Sequence, residues 1–359
     1  MRPKVAVLKT KPETVLEDYK RLMRLAEYEK YLPKDKDTAL KINVSWHHFY
    51  PACSTTPWQL EGVIKTLLED GYKKDLIHAC HNRTVVVSAK KGEVENKHKS
   101  IVEKYGLRNI HLYEGEEWVK YEPKGKMLVL NEIFPEGIHI PKRMIGENII
   151  HLPTMKTHVF TTMTGAMKNA FGGLLHEKRH WTHSVIHETL VDLLTIQKEI
   201  HSGIFAVMDG TFAGNGPGPR CMVPHVKNYI LASADQVAID AISAKMMGFD
   251  SMSLKFIRLA HEAGLGVGDP KEIEVVGEDI SDVNFHFQME RTTFASRGQE
   301  MIYWGPLKPL ENFLLRTIIA PWSYLASIIY HDYYWYPFVG KKRVDEMLKT
   351  GWGKLFLSY

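Results

Sequence analysis

The sequence predicts an α/β protein of mostly parallel sheets flanked by helices, in two lobes with a cleft between them and an aromatic C-terminal arm. Three observations predict it. Short apolar runs alternate with helical patterns, several buried runs stop at polar loop-like segments, and Trp304 to Gly340 is rich in aromatic residues and poor in charge. Val5-Ala6-Val7-Leu8 reads as a first strand, too short for a secretory hydrophobic region and followed at once by Lys9 and Lys11. Thr38 to Val44 reads as a second. Pro57 opens a helix in which Leu60, Val63, Ile64, Leu67 and Leu68 recur at helical spacing until Gly71 closes it, and Asp75 to Ala79 is the next strand. Strand, helix, strand in that order argues for parallel strands joined by right-handed crossovers. Ile149 to Leu152 and Phe205 to Met208 are further buried strands, each ending before a polar, loop-like segment: Pro153 to His158 and Asp209 to Arg220. In open α/β sheets the ligand lies beyond the carboxyl ends of the strands, so both segments are expected to face the site. The predicted lobes span 1–140 and 141–290, and the arm spans 291–359.

Charge and cysteine content exclude several classes. The 46 basic and 42 acidic residues leave a formal net charge of +4, too small and too diffuse for a nucleic-acid footprint. Cys53, Cys80 and Cys221 stand far apart with no CxxC pair, so no iron–sulfur cluster is expected within the chain and a reducing cytoplasm is the natural compartment. The arm carries Trp304, Trp322, Tyr324, Tyr330, Tyr333, Tyr334, Trp335, Tyr336 and Phe338 before Lys341-Lys342-Arg343. Arg316, Pro321 and Asp332 break this run before it can span a bilayer. It either packs on the lobes or a second subunit, within a homo-oligomer or larger complex, or lies in a lipid headgroup layer, a peripheral membrane contact.

The densest polar signal runs from Pro153 to His187 and holds five of the 18 histidines. His183 and His187 are four apart and, on one helical face, would share a metal; the bland alternative is two solvent-facing histidines. Thr164-Gly165-Ala166 before Lys168-Asn169, then Gly172-Gly173, are small residues that let backbone approach a ligand, with Lys168 facing it. Cys80-His81-Asn82-Arg83-Thr84, at a strand end, offers His81 for proton transfer and Arg83 for gripping an anion, unless the arginine merely forms a salt bridge. Ser54, Thr55 or Thr56 includes a helix N-cap, and the hydroxyls of Thr55 and Thr56 can also hold an anion. Asp209 stands at the mouth of a Gly/Pro-dense segment that includes Asn215 and reads as a tight loop, without the glycine spacing of a dinucleotide fingerprint. Ala232 to Asp240 reads as a strand end running into a capped helix.

These segments resemble the family named for domain of unknown function 362. Its Pro-x-x-Lys-x-His corresponds to Pro153–His158, with Lys156 and His158. Lys168-Asn169 and Phe171-Gly172 follow, then His183, the Asp-Gly…Gly-Pro stretch at Asp209 to Pro217, and Ala-Ser-x-Asp-x-Val-Ala-x-Asp at Ala232 to Asp240. The resemblance runs from residue 38 to 280 and leaves the arm outside. More distantly, Thr56-Pro57, His81 with Arg83, His158, Lys168 and His183 are similar in order to the lactate racemase family, although Asn82 interrupts the His-Arg pair and Gly165-Ala166-Met167 replaces paired glycines. That resemblance implies a metal ion, nickel, or a nickel-pincer nucleotide as cofactor.

Three functions are expected to compete. The first is an enzyme with a histidine/lysine cleft, racemase- or epimerase-like, in which His81, His158 and Lys168 act on a small-molecule or lipid-like substrate. Lys156, Lys168, Asn169, Asp209, Asn215, Arg83, Thr55 and Thr56 would hold the cofactor. The second is a redox enzyme on an apolar substrate with an external electron donor, and the third is a non-catalytic ligand-binding or assembly protein at a membrane surface.

Overall fold

Burial on both faces explains the central sheet of this computed structural model, which describes residues 2–288, 293–317 and 320–359, with the backbone alone at 177, 178, 294 and 295. Its strands in chain order are β1 (Lys4–Lys9), β2 (Thr38–Ile42), β3 (Ile77–His81), β4 (Arg108–His111), β5 (Trp118–Tyr121), β6 (Ile138–Pro141), β7 (Asn148–Leu152), β8 (Thr154–His158), β9 (Thr162–Met163), β10 (Gly203–Asn215), β11 (Val223–Ser233) and β12 (Glu274–Gly277). Ten form one sheet in the order β12-β1-β11-β10-β7-β2-β3-β4, with β8 on β10 and β9 on β8, while β5 and β6 pair apart. From β10 to β4 neighbours are parallel, and β11 is antiparallel to both β10 and β1. Strands from 1–140 and from 141–290 interleave in this sheet.

Successive side chains of a strand point to opposite faces, so each buried run feeds two cores. Val5 and Val7 of β1 join Leu190, Leu194, Ile239 and Met246 on one face; Ala6 and Leu8 join Tyr19, Leu22, Trp58 and Ile64 on the other. Helices cover both faces, which is why the strands read as nearly continuous apolar runs. The helix Pro57–Glu69 starts where expected: Thr56 accepts from Gln59 N while the Gln59 side chain accepts from Thr56 N, with proline in the first turn.

Three local expectations are corrected. Pro153 to His158 is no loop, because Thr154–His158 adds to β10 as a parallel strand. Asp209 to Asn215 is the second half of a 13-residue strand, held by pairing with β11 from Asn215–Val223 back to Ala206–Ser233. Its glycines answer to packing within the sheet, since a Cβ at Gly214 would stand 2.5 Å from the Met222 sulfur. Finally, His183 lies in a 3-10 stretch, Glu177–Val185, and His187 in the helix Ile186–Ile200 that follows a break at Val185 (φ −128°, ψ 35°). A spacing of four therefore does not put them on one α-helical face.

The arm packs by one side and bares the other. Trp335 and Val344 join Trp46, Tyr50, Cys53 and Cys221 in a small cluster, the Trp46 indole donates to Asp332 (2.6 Å), and Trp352 is buried with its indole on Asn228 (2.7 Å). Phe313, Trp322, Leu325, Ile329, Tyr333, Tyr334 and Phe338 are each 47–74% exposed. No single helix among the described residues is long and apolar enough to cross a membrane, although Lys308–Arg316 and Pro321–Leu348, bent 87° to one another, reach that length and composition together.

Candidate functional site: a cation-lined cavity

The parallel strands β2, β3 and β7 end at one edge of the sheet, and there the chain leaves a cavity of about 290 Å³. Lys41 on β2, His81 on β3, Lys156 and His158 on β8, Lys168 and Asn169 on the short helix Ala166–Asn169, Arg179, His183 and Arg220 line it. Tyr303, Leu315, Tyr324, Ser327 and His331 of the arm close it. Among the described residues no carboxylate lines it.

Among the described residues, neutral oxygens hold Lys41 and Lys156. The Lys41 ammonium donates to the Ile42 carbonyl (2.6 Å), and that of Lys156 to Ser45 Oγ (3.0 Å) and the Cys53 carbonyl. Lys168 is half-buried with its ammonium 5.1 Å from the Phe171 ring centre. Burial lowers Lys41 and Lys156 to about 8; burial, then Lys156 and Arg179, lowers Lys168 to about 7. Arg220 is also depressed by burial, and its guanidinium donates to Ser327 Oγ at 3.4 Å.

Hydrogen-bond partners fix the histidine tautomers. His158 Nδ1 accepts from Phe160 N (3.1 Å), so the proton of its neutral ring sits on Nε2. His183 Nδ1 lies 2.9 Å from the His180 carbonyl, which only accepts, so its Nε2 carries the lone pair. Burial, then Lys168, keeps both neutral, with His183 at about 3 and His158 well below the usual value. His81 Nε2 meets Glu93, which also takes His111 Nε2 (2.5 Å) and Asn109 Nδ2 (3.0 Å), and His81 Nδ1 is buried without a hydrogen-bond partner among the described residues. Burial lowers His81 more than Glu93 raises it.

The cavity thus gathers His81, His158, Lys168, Lys156, Asn169 and His183 of the expected residues. It does not gather the others. Asp209 is fully buried in the sheet, accepting from Tyr19 Oη (2.6 Å), Thr56 Oγ1 (2.9 Å), Trp58 Nε1 (2.9 Å) and the Thr211 hydroxyl (2.7 Å). The Thr55 hydroxyl is spent on the Leu152 carbonyl (2.7 Å). Asn215 accepts from Gln288 N (2.8 Å), Arg83 lines a neighbouring cavity with Tyr113 and Trp118, and the His187 ring stacks on Phe256. Among the described residues the trios able to share a metal are His81–Glu93–His111 and His47–His48–Asp332, and neither includes His183 or His187.

Sequence reasoning missed Lys41, Arg179, Arg220 and the arm's lining residues. The available signal was a lysine inside Thr38–Ile42, a strand buried at every position. It also missed the role of Asp240, which accepts from Ala166 N (2.6 Å) and Met167 N (3.1 Å) and so anchors the helix bearing Lys168. Burial raises it to about 8. A Cβ at Gly165 would come within 2.1 Å of its carboxylate, which is why the residue before that helix is glycine.

Fold and cavity together define an α/β protein with a cation-lined cavity at the carboxyl edge of a mostly parallel sheet. Residues 38–245 match the family described as Domain of unknown function (DUF362), and the chain belongs to that family. Thylakoid-associated protein sll1697 of Synechocystis is 25% identical over 125 residues, 34% of this chain and 39% of that protein, so the chain spans less than half of this curated relative's length. No solved structure matches the chain.

Proposed function

We propose that this chain is an enzyme that works at a membrane surface, binds an anionic organic ligand in the cationic cavity and isomerises it by proton transfer. The observation that carries the reading is Lys41, Lys156, Lys168 and Arg220 around one cavity that no carboxylate lines among the described residues. Burying cations is costly unless an anion joins them, and an anionic ligand restores the balance. His158, with its proton on Nε2, and His183, with its lone pair there, form a donor and an acceptor suited to exchanging a proton at carbon. Lysines at about 7 and 8 share the task of stabilising developing negative charge.

The nickel-pincer nucleotide implied by the racemase resemblance fits this lining in charge, with Lys41, Lys156 and Lys168 available to its phosphate and His183 at the wall. Bound there, it would supply a reversible hydride acceptor. The test of the enzymatic reading is to incubate the protein with 2-hydroxy acids, 2-amino acids and sugar phosphates in deuterated water and follow deuterium at the substituted carbon by NMR. Exchange lost in His158→Gln and His183→Gln supports it. A protein that binds such anions yet exchanges none of them is a binding protein.

Membrane attachment rests on the arm's bare aromatic and aliphatic side, next to Lys341 and Lys342, which suits a headgroup layer. The related protein's name, which places it with thylakoids, agrees. Full-length protein is expected to float with anionic liposomes at low salt and less so at high salt, and Leu325→Glu with Phe338→Glu to stay at the bottom of the gradient. Equal flotation of that double variant, or none by the wild type, removes the arm as an anchor.

A further inference from the structure

On the reading that the cavity takes an anionic ligand, we propose that the ligand is an amphiphile. Its single anionic head is held by Lys41, Lys156 and Lys168, and its hydrocarbon part lies against the arm. The lining is of two kinds. The cations come from β2, β8 and the helix Ala166–Asn169, whereas Val85, Val86, Val87, Phe160, Phe171, Leu315 and the rings of Tyr303 and Tyr324 are apolar surface that gives a small polar anion nothing to bond. Phe160 also packs edge-on against Tyr303 (5.6 Å) and Trp304 (5.5 Å), and Ile302, Tyr303 and Leu315 form an apolar cluster of their own.

Apolar side chains also reach the surface beside it: Val85, which lines the cavity, is 39% exposed, and Trp304, whose ring packs on the lining Phe160, is 48% exposed. The same segment therefore faces two ways. Leu315, Tyr324, Ser327 and His331 look into the cavity, while Phe313, Trp322, Leu325 and Ile329, one to four residues away along the chain, stand in the open. A water-soluble substrate has no use for a lid whose outer surface is apolar. A molecule with a hydrocarbon tail does, because it then passes from a lipid surface to the cavity without exposing that tail to water. This assigns the arm a share in substrate selection as well as in closure.

The experiment is calorimetric titration of the full-length protein with methyl phosphate, decyl phosphate below its micellar concentration, and decyltrimethylammonium as the same tail with the opposite head. Decyl phosphate is expected to bind at least about tenfold tighter than methyl phosphate, the ratio that burying two methylenes brings. Its binding is lost in Lys168→Ala and in Lys41→Met, each first shown to be folded by its melting transition, and decyltrimethylammonium does not compete. If the two phosphates bind equally well and both need Lys168, the anion site stands and the amphiphile is wrong. If decyltrimethylammonium binds like decyl phosphate, the tail alone is being read and the proposal also fails. If neither phosphate binds, the underlying anion reading falls with it.

Discussion

Replacing Lys168 by methionine is expected to stabilise the ligand-free protein while removing its anion binding. The lysine is drawn down from 10.5 to about 7 by burial first and by Lys156 and Arg179 second. A group whose folded value lies below its unfolded value opposes folding wherever it is charged, so the cost is complete below pH 7 and fades as pH rises toward 10.5. At about 1.36 kcal/mol per pH unit, the full displacement is worth about 5 kcal/mol at pH 6 and about 2 kcal/mol at pH 9. Water reaches this half-buried amine through the cavity, so the measurable part at pH 6 is smaller, about 1–2 kcal/mol. Methionine keeps the length of the side chain and its contact with Phe171 without the charge. Melting curves at pH 6 and pH 9 are the assay. Lys168→Met melts about 2–4 °C above wild type at pH 6 for each kcal/mol gained, a conversion typical of chains somewhat smaller than this one, and the gap narrows at pH 9. Decyl phosphate, which raises the wild-type midpoint by mass action, no longer does so. A variant no more stable than wild type at pH 6, or a gap that ignores pH, refutes the view that Lys168 is an uncompensated buried cation.

Asp209→Ala is expected to cost about 3–5 kcal/mol in urea denaturation, because it strands the hydroxyls of Tyr19, Thr56 and Thr211 and the Trp58 indole at about 1–3 kcal/mol each before repacking. Its folded fraction keeps wild-type affinity for methyl phosphate; reduced affinity would return Asp209 to the site. Asp240→Ala frees the amides of Ala166 and Met167 and so lowers both stability, by about 1–3 kcal/mol, and phosphate affinity, whereas unchanged affinity would show that Lys168 holds its place without that anchor. Glu93→Gln withdraws the carboxylate that raises His81, so the imidazole titration followed by NMR is expected to move further down in pH; an upward move would contradict the contact.

The fold was legible because its signals are local and repeated. Short, largely apolar runs such as Val5 to Leu8 and Ile149 to Leu152 suit strands covered on both faces, and the Thr56-Pro57 start carries its capping chemistry in the sequence. The longest strand was half lost, since Gly210, Gly214 and Gly216 read as turn formers. In the sheet the first two are instead places where Tyr229 and Met222 press close, a fact of pairing with β11 that no local window contains. Site residues divide in the same way. His158, Lys156 and Lys168 were found because the strand and short helix that carry them are adjacent in sequence. Lys41 and Arg220 were not, since 115 residues separate Lys41 from Lys156 and only the sheet order, with β2 beside β7 and β7 beside β10, makes them neighbours.

Asp209 shows why residue type alone misleads at this edge. An aspartate one residue past an apolar strand looks like a ligand group, and burial does raise its pKa, yet donors from Tyr19, Thr56, Trp58 and Thr211 consume its acceptor capacity within the sheet. The lysines invert that balance. Their donors are only partly used, by carbonyls, one hydroxyl and an aromatic face, and they share a cavity. What separates the structural carboxylate from these ammonium groups is therefore the unspent hydrogen-bonding capacity each leaves facing open space. By that measure the groups left to meet a ligand on the proposed reading are Lys41, Lys156, Lys168 and the two neutral histidines beside them.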